Sequence, residues 1–295
     1  MKYKNAFYDY ITYEKKYSLH TINNYKKVIE DYTLFLNKEC ISINKTDNLV
    51  VRNYLRSLDK NNYSNKTLCL YISALRSFYK FLVKENIIKS NPMLLIKNPK
   101  LEKKVPKFLY YNELSSLFES IDMNTNLGIR DNLILEILYS TGVRVSELVN
   151  IKLKDINTFD KSINIFGKGK KSRVVLYGDS LESALKKYLN NSRNELLKID
   201  TDILLLNKNG TPLTDRGVRL IISKIVEKTS IKQNVSPHVL RHTFATHLLK
   251  EGADLKTVQE LLGHTSLKAT EVYTHITNEA LRKTYLDYHP RGKSK

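Results

Sequence analysis

From Ser18 onward the apolar positions Ile22, Tyr25, Ile29, Tyr32 and Leu36 recur at spacings of three and four, which predicts one buried face of an amphipathic helix beginning near Ser18 or Thr21. A second stripe, Leu68, Ile72, Leu75, Tyr79 and Leu82, predicts another helix, and shorter helical patterns occupy residues 5–16 and 47–58. Residues 1–90 therefore read as a domain of four or five packed helices without a sheet, with the aromatic stripes as its core. Between 91 and 107 the period vanishes, and Pro92, Pro99 and Pro106 stand among lysines, the text of a linker. Helical patterns resume at Glu113 to Ile121 and Arg130 to Ser140. Ile163 to Phe166 and Arg173 to Leu176 then read as two short strands joined by a basic, glycine-containing turn, Gly167 to Lys171. Helical text returns from Asp179, interrupted by the apolar run Ile203 to Leu206, which reads as a core strand. The expected fold class is mainly α in two domains, the second (108–295) mostly helical with a small antiparallel β-sheet.

Composition narrows the classes available. At 295 residues, 41% hydrophobic and 27% charged, the chain has the profile of a folded protein, and no apolar run is long enough to span a bilayer. Its first residues lack the basic start and apolar centre of a secretory signal, so a cytoplasmic location and no membrane partner are expected. Cys40 and Cys69 have no CxxC spacing and no neighbouring ligands, and read as buried thiols. The net charge of +19 exceeds what solubility asks for and points to a polyanion. Residues 1–107 hold 21 Lys and Arg against 9 Asp and Glu, a net +12, while 108–295 hold 28 against 21, a net +7. The first third suits a part that grips a phosphate backbone; a lysine-rich composition bias is the plainer alternative.

Candidate chemistry concentrates in Pro237 to Leu248, PHVLRHTFATHL, which carries three of the seven histidines. Val239 follows His238 where a zincin-type metal site needs glutamate, and no acid lies between Pro237 and Leu249, so no metal is expected. No Gly-x-Ser-x-Gly elbow supports a serine hydrolase. What remains is His238 with Arg241 at i+3 on one helical turn, a guanidinium fork and an imidazole suited to a phosphate. Upstream stands STGVRVSEL with Arg144 and Glu147, and downstream LLGHTSLKATEVYTHI with His264 and Tyr273.

Together these segments resemble the tyrosine site-specific recombinases (phage integrase family), and within them the Xer branch. Ser140 to Leu148 resembles the family's first catalytic box, His238 to His242 with Leu262-Gly263-His264 and Tyr273-Thr274-His275 its second, and Gly167-Lys168-Gly169 the turn that carries its lysine. Ser18 to Leu36 resembles its core-binding, SAM-like domain, and His289-Pro290-Arg291 the ending of Xer proteins. One departure is Ala269, where the family commonly has threonine.

The resemblance implies Arg144 and Arg241 as a clamp on the scissile phosphate, Tyr273 as nucleophile, His238 as base, Lys168 as acid for the departing 5′ oxygen, and His264 as a phosphate hydrogen-bond partner. Glu147 and His242 would orient the clamp. His20, His247 and His275 read as structural. It implies no cofactor. It also implies a double-stranded DNA recombination site as partner and self-association to a tetramer on two sites, with a second Xer-type recombinase and a DNA translocase as candidate partners. A last helix, about Glu279 to Tyr288, is expected to dock on the neighbouring protomer. The absence of an arm-binding N-terminal domain favours resolution of chromosome or plasmid dimers; the integrase of a mobile element and a DNA-binding protein without cleavage stay open.

Overall fold

In a computed structural model, residues 2–101, 107–167, 172–262 and 284–292 are described. The chain divides into two compact units, Met1–Lys104 and Val105–Lys295.

The first unit is built from α1 (Lys2–Asp9), continued by a π-helical turn at Tyr10–Glu14, then α2 (Leu19–Lys38), α3 (Asn48–Lys60) and α4 (Asn65–Lys84). Side chains start three of these helices: Ser18, Asp47 and Ser64 accept from the free backbone N–H of Thr21, Val50 and Thr67 at 3.3, 2.9 and 3.2 Å. Both apolar stripes face the core, except that Tyr25 is only half-buried, edge-on to Tyr17 at 5.8 Å. The core is aromatic: Phe7 and Phe78 pack edge to face at 5.1 Å, and the buried hydroxyls of Tyr32 and Tyr79 satisfy each other at 2.7 Å. The thiols are not buried as expected. Cys40 is exposed, beyond the end of α2 at φ 55° and off its apolar face, and Cys69 is half-buried.

The second unit contains α5 (Tyr111–Glu119), α6 (Asn126–Thr141), α7 (Val145–Leu148), β1 (Ile156–Asn157), β2 (Ser162–Phe166), β3 (Ser172–Leu176), α8 (Asp179–Lys187), α9 (Arg193–Leu196), α10 (Asp215–Glu227), α11 (Pro237–Lys250) and α12 (Leu255–Leu261). Helix α6 is covered on nearly every side, with Leu133 to Leu135 and Ile137 to Tyr139 almost fully buried, and it packs against α8 and α11. A helix apolar all round belongs in the centre, and this one fixes the loop that follows it. The sheet is antiparallel in the order β1-β2-β3, with Ile163 opposite Val175 and Phe166 opposite Ser172. Strand β1, two residues at the edge, is too short to leave a periodic trace in the sequence. Leu204 to Leu206 are buried, but the run makes only isolated bridges, Lys152 to Ile203 and Leu206 to Pro212. Pro212 lacks an N–H, and Gly210 turns the chain at φ 77°, so no ladder propagates.

Of the expected last helix, residues 284–288 are helical and 279–283 lie outside the described residues. Tyr285 packs into the core of its own unit. The His289 ring stacks on it at 4.8 Å, and Arg291 pairs with Glu136. Within this single chain, the tail residues described fold back on their own unit.

A candidate phosphate-binding active site

Helix α6 closes on Gly142 at φ 59°, a left-handed conformation that glycine adopts without strain. A side chain there would also collide, since an added Cβ would lie 2.7 Å from Phe244 Cδ1 and 2.9 Å from Leu262 Cδ2. The turn brings Arg144 to the N-cap of α7, where Glu147 takes hold of it twice: Arg144 N donates to Glu147 Oε2 at 2.8 Å and Nη1 to Oε1 at 2.9 Å. This is not a solvated i, i+3 pair, because the Glu147 side chain is only 3% exposed.

Arg173 of β3 donates to the same carboxylate with both terminal nitrogens, Nη1 to Oε1 at 2.9 Å and Nη2 to Oε2 at 2.8 Å. Burial pushes the Glu147 carboxyl up, but the hydrogen bonds from Arg173 and from the Arg144 N–H outweigh it and hold the group at about 2. Arg173 was not singled out in the sequence. The only trace is one cation in an otherwise Val- and Leu-rich strand.

Helix α11 supplies the other wall. Ser236 caps it, accepting from Val239 N at 3.4 Å, and Pro237 occupies the first turn, so His238 sits at the positive end of the helix dipole. One turn on, Arg241 is buried, donating to the Gly142 carbonyl and, at 2.7 Å, to the Leu262 carbonyl. Burial lowers its pKa to about 10, helped by the like charges of Arg144 and Arg173, so it stays cationic at neutral pH. His242 is half-buried; burial and His238 lower its pKa. Among the described residues no hydrogen bond joins His242 to either arginine. His247 is fully buried, its Nε2 donating to Leu109 O at 2.9 Å and its Nδ1 accepting from Tyr139 Oη at 2.9 Å, which is a structural role. Exposed His20 sits 3.1 Å from Asn24 Nδ2 in the other unit.

Arg144, His238, Arg241 and His242 line one cavity of about 430 Å³ with Ser236, Leu262 and Lys107, the last a residue the sequence placed in the linker. Among the described residues no carboxylate lines it, and the acid behind it, Glu147, faces the guanidiniums of Arg144 and Arg173. The described lining carries positive charge beside a helix N-terminus, an arrangement that accepts an anionic oxygen cluster. Among the described residues no group of His, Cys, Asp and Glu is placed to hold a metal ion. Lys168, His264 and Tyr273 lie outside the described residues.

Residues 107–280 match the phage integrase family, and residues 5–86 match the phage integrase N-terminal SAM-like domain. The tyrosine recombinase XerC of Bacillus subtilis is 46% identical over 293 residues, covering 98% of this chain and 96% of that protein. Its counterpart from Listeria welshimeri is 45% identical, covering 99% and 98%. Among solved structures, XerH bound to palindromic difH in a post-cleavage complex superposes with a TM-score of 0.66 at 30% identity, over 90% of this chain and 79% of that one. A lambda integrase dimer on a core site shares the fold, with a TM-score of 0.68 at 18% identity over 91% and 98%. With the fold and these likenesses in agreement, the chain belongs to the phage integrase family of tyrosine recombinases.

Proposed function

We propose that the cavity holds the scissile phosphate of a double-stranded DNA recombination site, and that the chain exchanges strands there as a Xer-type recombinase. The observation that carries this reading is the cavity with Arg144, His238 and Arg241 on its wall and, among the described residues, no carboxylate. Displacement at a phosphodiester loads negative charge on the nonbridging oxygens as phosphorus becomes pentacoordinate, and Arg144 and Arg241 neutralise it without a metal. The Tyr273 phenolic oxygen forms the new bond to phosphorus and the bond to the 5′ oxygen breaks. The phenolic proton passes to His238, and Lys168 protonates the departing oxygen. His264 hydrogen-bonds the phosphate, and Glu147 and His242 orient the clamp. The resulting 3′-phosphotyrosyl ester conserves the bond energy, so a 5′ hydroxyl rejoins the strand by the reverse steps without a nucleotide cofactor.

The first unit, with most of the excess charge, grips the duplex. Two protomers occupy each site and four join two sites through a Holliday junction. The setting we assign is cytoplasmic resolution of chromosome or plasmid dimers, with a second recombinase and a DNA translocase as partners.

The test is to incubate the protein with sheared DNA of its source genome, denature, and sequence fragments left covalently attached, with Tyr273→Phe in parallel. One dominant site lost in the variant is expected. Adducts that persist in Tyr273→Phe remove the nucleophile assignment, and no adduct from either protein favours DNA binding without cleavage. A dominant site beside the gene itself, away from the region where replication ends, favours the integrase of a mobile element.

A further inference from the structure

Glu147 can accept at about four lone-pair positions. Arg144 takes two, through its backbone N–H and Nη1, and Arg173 takes the other two through its guanidinium fork. A carboxylate filled this way cannot turn without breaking bonds on both sides, so the orientation of Arg144 depends on a residue 29 positions along the chain. Arg173 is itself fixed at its other end. It pairs with Ile165 in the β2–β3 ladder, one residue after Ser172, which pairs with Phe166. Strand β2 ends at Phe166 and β3 begins at Ser172, and Lys168 falls between them in the sequence. The Arg173 side chain is only 18% exposed and Glu147 3%, so the joint is shielded from water and stiff.

We propose that Arg173 is a positioning residue for strand cleavage: through Glu147 it locks the β2–β3 hairpin in register with the phosphate clamp, so that Arg144 and Lys168 address the same phosphodiester. This rests on the reading of the cavity as the cleavage site and of Lys168 as the acid. Two partners presented by different elements must agree to within a fraction of an ångström, and a displacement of about 1 Å costs roughly 100-fold in rate. Lysine in place of Arg173 keeps the charge but removes the fork.

The experiment compares wild type, Arg173→Lys, Lys168→Ala and Tyr273→Phe in single-turnover cleavage of the site recovered by adduct mapping, with protein saturating. Each protein is given the natural phosphodiester and one whose bridging 5′ oxygen is sulfur; the thiolate leaves without needing a proton, so that substrate bypasses the acid. Arg173→Lys is expected to bind DNA as wild type does and to cut the natural site about 100-fold more slowly. Its sulfur-to-oxygen rate ratio is expected to rise at least about 10-fold over wild type, in the direction shown by Lys168→Ala. A residue that only supports the fold slows both substrates alike, so an unchanged ratio in Arg173→Lys overturns the proposal, as does a natural-site rate equal to wild type. Failure of the underlying reading is separately visible, as adducts persisting in Tyr273→Phe or an unchanged ratio in Lys168→Ala. Arg173→Ala strands the buried carboxylate and is used only if it retains wild-type DNA affinity.

Discussion

The two units bury different things. In the first, the described interior is apolar and aromatic, and its polar atoms are hydroxyls such as those of Tyr32, Tyr79 and Thr33. In the second, Arg130, Glu136, Glu147, Arg193, Arg241 and His247 are all buried. Taking a charge out of water costs several kcal/mol unless partners are in place, and the second unit supplies them: carbonyls for Arg193 and Arg241, guanidiniums for Glu147, Arg291 for Glu136. The first unit keeps its excess cations outside, where, on the proposed reading, they adapt to a polyanion whose exact path need not be specified. Of the basic side chains that line the cavity only Arg241 is buried, while Arg144, His238 and Lys107 stand exposed at its wall, so on the proposed reading one arginine is fixed by the interior and the other by its joint with Glu147.

The sharpest break of this contrast is Arg241→Ala. It removes a cation from the clamp and leaves the carbonyls of Gly142 and Leu262 without their donor. Losing one preorganised transition-state contact typically costs about 100- to 1,000-fold. A loss of that order in single-turnover cleavage is expected, together with destabilisation of about 1–3 kcal/mol for an unpaired buried polar group. Cleavage within about tenfold of wild type would mean that the buried guanidinium only holds the fold together.

How much of this was legible without coordinates follows from the same distinction. His238 and Arg241 were legible because one helical turn places i and i+3 side by side, and so were the Ser18 cap and the two stripes, since each depends on spacing along a single element. Arg173 was not, because its meaning arises only when β3 is laid against α7, 26 residues from Glu147, and no local period encodes that pairing. Lys107 reads as linker from its prolines and neighbours, yet it lines the cavity of the second unit. Glu147 was visible as the i+3 partner of Arg144, but its burial, which turns a solvated pair into a fixed joint, comes from tertiary packing. The buried run Leu204 to Leu206 misleads in the other direction: its hydrophobicity is that of a strand, and Pro212 and Gly210 limit it to bridges.

Acid divides the units next. Six of the seven histidines belong to the second unit. Burial lowers the pKa of His247, and that of His289 to about 3. A buried neutral histidine has a folded pKa below its unfolded value of 6.5, so its contribution is full above pH 6.5 and declines as the pH falls toward the folded value. At pH 5.5 about 1 kcal/mol is lost for His289, and His247 loses in the same direction. Glu147 adds a second, lower window: held at about 2 against an ordinary 4.5, its stabilisation is present above 4.5 and disappears as the pH falls toward 2. Hydrogen exchange read by mass spectrometry, corrected for intrinsic rate, should show the second unit loosening between pH 6.5 and 5.5 while the first holds. Equal loosening of both would remove the distinction.

The smallest effect is expected at the Tyr32 and Tyr79 hydroxyl pair, and it probes whether polar burial in the first unit is dispensable. Burial raises both phenols, Tyr79 to about 12, so neither titrates in the working range and the pair contributes equally from pH 5 to 8. Tyr32→Phe leaves the Tyr79 hydroxyl without that partner and should cost about 1 kcal/mol; removing both hydroxyls as Tyr32→Phe with Tyr79→Phe should return most of that, since the two rings keep their packing. Cleavage of the bound site should be unchanged in both variants. The equivalent double removal in the second unit, of Glu147 with Arg173, has no such neutral end point, because apolar replacements restore packing but not the aim of Arg144. If the tyrosine double variant were instead as slow in cleavage as the charge-pair double variant, the hydroxyl pair would belong to the catalytic machinery, and the division between a unit that grips and a unit that aims would fail.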